Sequence, residues 1–255
     1  MEIDDIKDFL DEKYDQYNRP EFIESDPIQI PHLFSVSNDI EIAGFFSAII
    51  SWGQRKTIIK NGLMLMKLMD NNPYDFIINA SDREIKAFRN FKHRTFNYID
   101  TAYFCKSLKN IYCKHAGIKS IFEKNYLKYG SLKNAVINFR KAFFEIPHPN
   151  RTLKHISDVS RGSAAKRINM FLRWMVRKDN RGVDFGTWSN IPSSALYIPL
   201  DVHSGSVARK LGILKRKQND WQSVEILTEV LRNFDQDDPV KYDFALFGLG
   251  VRDDF

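Results

Sequence analysis

The sequence predicts an all-α protein. Apolar residues recur at three- and four-residue spacings in segment after segment, the pattern of core-facing helices. No stretch sustains two-residue alternation, so a sheet is not expected. Gly (12) and Pro (9) are scarce among 255 residues, which argues against a turn-rich sandwich or barrel. With 43% of residues hydrophobic and 13% aromatic, the chain can bury a core without disulfide or metal and is too apolar for disorder.

Residues 2–18 read as an acidic amphipathic helix that ends before Pro20. Asn38 and Glu41 have the spacing of a capping box. Ile42, Phe45, Phe46, Ile49 and Ile50 then form an apolar stripe, interrupted by Ser51-Trp52-Gly53-Gln54. A second apolar helix runs from about Thr57 to Met69 and closes at Asn71-Asn72-Pro73. Ser81 and Glu84 mark another capped start. Asn97 to His115, 118–128 and 131–145 read as three more helices, the last two separated by Gly130. Pro147-His148-Pro149 is the best internal boundary. Residues 164–178 read as a basic amphipathic helix, with Ile168, Phe171, Leu172 and Met175 on its stripe and Lys166, Arg173 and Arg177 off it. Residues 179–198 are irregular, and so either functional or a flexible insertion. Asp201 caps a short helix that ends at Gly212, and Trp221 to Leu231 and Val240 to Leu249 complete the set.

Two cysteines exclude a disulfide framework and a four-thiolate iron–sulfur cluster. The N-terminus is acidic where a signal peptide would be basic, which points to the cytoplasm. No uncharged apolar run nears the ~18–20 residues of a membrane span. The net charge is +6. Residues 151–181 hold nine cations against Asp158 and Asp179, so that one segment carries +7 and the remainder −1. Such an excess suggests a polyanion-binding face, or else a solvated helix with long basic side chains.

Walker, dinucleotide-binding, nucleophile-elbow and zinc-protease motifs are all absent. Cys105, Cys113 and His115 lack zinc-site spacing, and Asp201 with His203 has no completing partner, so no metal is expected. The most informative stretch is Ile198-Pro199-Leu200-Asp201-Val202-His203, an acid at a helix start with a histidine two residues on. It resembles the Val-Asp-x-His segment of the helix–hairpin–helix DNA glycosylase superfamily. Ser47 to Lys56 is similar to that family's early Leu-Ser-Gln-Gln-Thr helix end, which faces the DNA. Arg161-Gly162-Ser163-Ala164-Ala165-Lys166-Arg167-Ile168 stands where its hairpin and catalytic lysine belong, and looks most like the archaeal 8-oxoguanine glycosylase branch. Asp243 to Gly250 is placed like the closing helix. The chain departs from the family in two places. Ser160-Arg161-Gly162-Ser163 replaces a Leu-Pro-Gly-Val-Gly hairpin, and the 35 residues from Lys166 to Asp201 make 179–198 an insertion.

The resemblance implies a two-lobed helical fold, residues 1–40 with 200–255 contributing to one lobe and 41–199 forming the other. It implies excision of a damaged purine from duplex DNA, without cofactor, membrane or obligate protein partner. A base must leave the stack at a cost of a few kcal/mol. Asp201 would stabilise the positive charge left on the sugar. Lys166 would attack the anomeric carbon as a neutral amine, a form that burial and Arg167 favour. Gln54, Arg55, Arg161, Arg167, Arg173 and Arg177 are the expected DNA contacts, and Trp52, Trp188 and His203 the expected base pocket. Each has a plainer reading. Asp201 serves equally as a helix cap, Lys166 as a phosphate contact, Gln54 as a cap, and the tryptophans as core. Two rival functions remain, a non-catalytic nucleic-acid-binding protein with the glycosylase fold and a helical scaffold for a protein partner.

Overall fold

A computed structural model describes residues 2–252. The chain divides into two compact units, Met1–Glu24 with Asp158–Phe255, and Ser25–Ser157. We call them the terminal and central units.

The terminal unit begins with α1 (Ile3–Tyr17) and α2 (Glu21–Glu24). The central unit follows with α3 (Ser37–Ile49), α4 (Arg55–Leu68), α5 (Pro73–Asn79), α6 (Asp82–Ile85), α7 (Tyr98–His115), α8 (Ile118–Tyr129) and α9 (Leu132–Phe143). The terminal unit resumes with α10 (Lys166–Val176), α11 (Val202–Lys210), α12 (Trp221–Phe234) and α13 (Tyr242–Arg252). The protein is therefore all-α, apart from a small hairpin that sequence periodicity does not reveal. Its strands β1 (Lys92–His93) and β2 (Phe96–Asn97) are too short for alternation to register. At the tip, Arg94 takes a left-handed backbone (φ 52°), which for a non-glycine residue costs about 1 kcal/mol.

The central unit is built on phenylalanine. Phe104 of α7 meets Phe143 of α9 at 4.7 Å and Phe96 of β2 at 5.1 Å, and Phe122 stacks on Phe139 at 4.8 Å. The Ser81 cap sits where the sequence puts it, and Asn97 supplies another, at the start of α7. Ser81 accepts from the Glu84 amide while Glu84 bonds back. The Asn38–Glu41 box is different. α3 starts two residues earlier, after Val36, and Glu41 is buried. Its carboxylate accepts from the Ile118 and Lys119 amides (3.0 and 3.1 Å) and the Tyr112 hydroxyl (2.6 Å). Glu41 thus caps α8 rather than its own helix, satisfying amides that Gly117, which has no side chain, leaves unmet.

The central unit ends at Ser157, ten residues after Pro147. The reason is Asp100, which holds the turn Asn150–His155 against α7. Arg151 pairs with it at 2.7 Å, Thr152 donates at 2.9 Å and His155 lies at 3.3 Å. The expected grouping shifts at both bounds, because residues 25–40 fall in the central unit and residues 158–199 join the chain ends. As a result α10 and Asp201 share one unit.

In the terminal unit, α10 is no amphipathic surface helix, since every residue from Ile168 to Val176 is buried. The irregular segment after it is tied to its end. Phe185 and Trp188 donate their amides to the Trp174 and Met175 carbonyls, which the last helical turn leaves unpaired. α1 lies directly on α13, and a Cβ on Gly248 would come 2.2 Å from the Tyr17 ring. Gly248→Ala should therefore cost about 1–3 kcal/mol by overpacking. Thermal melting should show a fall of roughly 2–4 °C per kcal/mol. An unchanged melting temperature would mean that α1 shifts away freely.

Candidate functional site

Lys166 is the first residue of α10. The residue before it, Ala165, is buried in a left-handed conformation (φ 48°). Asn169 steadies this entry, its amide bonding the Ala165 carbonyl and its side chain the Ala164 carbonyl. A non-glycine residue in that conformation is strained, and it sets the direction in which α10 and its lysine leave the loop. The Lys166 Nζ lies 3.9 Å from Asp201 Oδ2 and 3.4 Å from the Met170 sulfur. Both charged side chains are only partly exposed, at 25% and 21%.

Asp201 caps α11, and its two oxygens divide the work. Oδ1 accepts from the His203 and Ser204 amides at 2.8 and 3.0 Å, while Ser204 Oγ accepts from the Asp201 amide. Oδ2 is the oxygen turned to Lys166. The Asp201 carbonyl is held in turn by Asn219 at 2.9 Å. A fixed carboxylate oxygen beside a primary amine, with water able to reach both, can neutralise a cation or orient a nucleophile.

A third member escapes sequence reading. Asp243, in the first turn of α13, is buried, and burial pushes its carboxyl up to about 6. Arg173 and Lys166 draw it down, whereas Asp201 adds to the rise. Asp243 therefore lies within electrostatic reach of both candidate catalytic residues, and it bonds directly to Arg173. A signal for it exists in the sequence. An acid inside the apolar run Tyr242-Asp243-Phe244-Ala245-Leu246 implies a buried partner, as does Arg173 inside Met170–Val176.

Arg173 and Arg177 are not DNA contacts. Both are buried. Arg173 pairs with Asp184 (3.3 Å) and Asp243, and its guanidinium lies 4.2 Å from the Phe244 ring. Arg177 pairs with Asp179, Asp184 and Asp238 at 2.8–3.0 Å and donates to the Tyr14 hydroxyl. Burial opposes its charge, but Asp184 and Asp238 outweigh that and hold its pKa above the ordinary arginine value. Helical phase places both side chains off the apolar stripe, but the partners that bury them come from loops and α13. Trp188 is likewise no base contact, being buried with its ring edge-on to Phe171 at 5.5 Å.

The remaining expected residues are dispersed. Arg161 is exposed, 3.9 Å from Asp158. Arg167 is half-buried, and burial draws its guanidinium down to about 10. His203 is exposed on the first turn of α11. Trp52, Gln54 and Arg55 belong to the central unit, at the start of α4. Gln54 is exposed at the N-cap position, where its side chain makes no cap. The basic segment is divided too. Arg151 and Lys154 belong to the central unit, and Arg181 bonds to Asp15 of α1.

Among the described residues no group of three or more His, Cys, Asp or Glu could hold a metal ion. Cys105 is buried, which pushes its thiol up to about 12, and His115 pairs with Glu145 at 3.0 Å. No described helix is long and apolar enough to cross a membrane.

A family model described as "Protein of unknown function (DUF2400)" matches residues 26–252. No curated protein and no solved structure matches the chain.

Proposed function

The chain belongs to the DUF2400 family, and we propose that it is a DNA glycosylase with a helix–hairpin–helix type of fold, removing a damaged purine through Lys166 and Asp201. The pairing of these two residues carries the reading. They are 35 positions apart in sequence, yet the lysine amine meets the one Asp201 oxygen that the helix cap does not use.

In the proposed reaction, the amine of Lys166 attacks the anomeric carbon as the bond to the base breaks. The base departs with the electron pair of its bond. The C1′–O4′ bond then opens, its electron pair passing to O4′, which takes up the proton that the amine gives up as the C=N bond of the Schiff base forms. Asp201 Oδ2 faces the positive charge that builds on the sugar. Asp243, paired with Arg173 behind the site, adds a second carboxyl to the field at Lys166.

A panel of lesion-bearing duplex oligonucleotides tests this reading. Borohydride should trap a covalent adduct on the cognate lesion, and Lys166→Gln should abolish trapping while leaving most binding intact. Persistent trapping in Lys166→Gln would move the chemistry to another lysine. Excision without any trapping would leave Lys166 as a phosphate contact. Binding without turnover on any lesion would favour the non-catalytic nucleic-acid-binding reading.

A further inference from the structure

The net charge is unevenly shared. The central unit, residues 25–157, holds 20 Lys and Arg against 10 Asp and Glu, a net +10, whereas the rest of the chain sums to −4. Five of those ten acids are buried, Asp26, Asp39, Glu41, Asp100 and Glu123, so they are largely hidden from a ligand.

Part of this charge gathers round Trp52. The indole is half-buried and stacks on His155 at 5.5 Å, with the planes 20° apart. His93 bonds the Trp52 carbonyl at 3.1 Å and Asn61 of α4 at 2.9 Å, tying the β1–β2 hairpin to the start of α4. Arg151 bonds the Thr95 carbonyl at 2.9 Å, tying the hairpin to the turn Asn150–His155. These three pieces display Lys56 on α4, Lys92 and Arg94 on the hairpin and Lys154 on the turn, all exposed. None of the four forms an ion pair among the described residues.

Arg94 is the distinctive member. It sits at the hairpin tip with a left-handed backbone that suits glycine or asparagine. Its guanidinium lies over Gly53, where a Cβ would come 2.8 Å from Nη1. A strained arginine set against a glycine that leaves room for it is poorly explained by stability. We infer that the Arg94 hairpin, the start of α4 and the 150–155 turn form a grip for the phosphate backbone of nucleic acid, with Trp52 at its centre. Guanidinium and ammonium groups neutralise phosphates, and an indole among them offers a surface on which a base or sugar can stack. The inference rests on the nucleic-acid reading for its ligand and needs no catalysis.

The test is anisotropy of the whole protein with an undamaged 20-base-pair duplex across a salt series. If four or five phosphates are neutralised, the wild-type log–log slope should lie near −4, at ~0.9 per contact. Arg94→Gly should lower the slope by ~0.9 and weaken binding, while the melting temperature holds or rises by up to about 3 °C. Opposite signs for binding and stability separate a contact from a fold defect. The Lys92→Ser and Lys154→Ser pair should lower the slope by a further ~1.8. Unchanged slope and affinity in these variants would overturn the grip, and active excision beside them would leave the proposed function standing. Wild-type protein that ignores the duplex but binds phosphatidylserine vesicles would overturn both.

Discussion

Asp201→Asn should fold, melt within a few degrees of the wild type and bind DNA, yet excise its base ~10²-fold or more slowly, the scale of losing one preorganised electrostatic group. The division of labour between its oxygens makes the substitution decisive. Asparagine ranks with aspartate as an N-cap, so Oδ1 can still accept from the His203 and Ser204 amides. The atom facing Lys166 becomes an uncharged amide nitrogen. Excision kinetics beside a thermal melt read the two roles separately. Full activity in a folded Asn variant would reduce Asp201 to a cap and remove the proposed mechanism. Asp201→Ser, which keeps a capping oxygen and nothing else, is the control if Asn disturbs the fold.

Arg177→Met should be the most damaging of the charge deletions. The guanidinium is buried and bonds to Asp179, Asp184, Asp238 and the Tyr14 hydroxyl. Methionine fills similar space but leaves these carboxylates without their cation. Removing one partner from a buried ionic cluster costs about 3–5 kcal/mol. Denaturant unfolding should show that loss, and melting should fall by roughly 10 °C. Arg161→Met, on an exposed side chain, should stay within about 0.5 kcal/mol of the wild type. Equal effects at the two positions would mean that Asp179, Asp184 and Asp238 find other partners.

Local chemistry was legible in the sequence. The Ser81 and Asp201 caps and the Gly130 and Gly212 helix ends need only a few neighbouring residues, and those interactions stand where spacing put them. Long-range pairing was not legible. Arg173 looks like a surface cation until Asp243, 70 residues on, is brought to it. Glu41 looks like a cap for its own helix until Ile118 and Lys119 arrive. Trp188 sits in a stretch without periodicity, and it takes the amide bonds of Phe185 and Trp188 to the Trp174 and Met175 carbonyls to show that the stretch is tied to α10. The same limit applied to the candidate site. Lys166 and Asp201 are found through resemblance to a known pattern, in which Asp243 stands out only as part of a closing helix.

The order in which ribosomes release the chain acts differently on the two units. Residues 25–157 are continuous, so the central unit can complete its core while the remainder is still being made. α1 emerges long before the helix it packs against, α13, so Tyr17 must wait for Gly248. At 5–20 residues per second that interval is about 10–45 s. Throughout it Tyr17, buried in the finished protein as are Ile6 and Leu10, lacks the α13 surface it packs against. A nascent-chain chaperone or premature termination before α13 therefore acts first on α1, a helix made long before α13 and secured only with it.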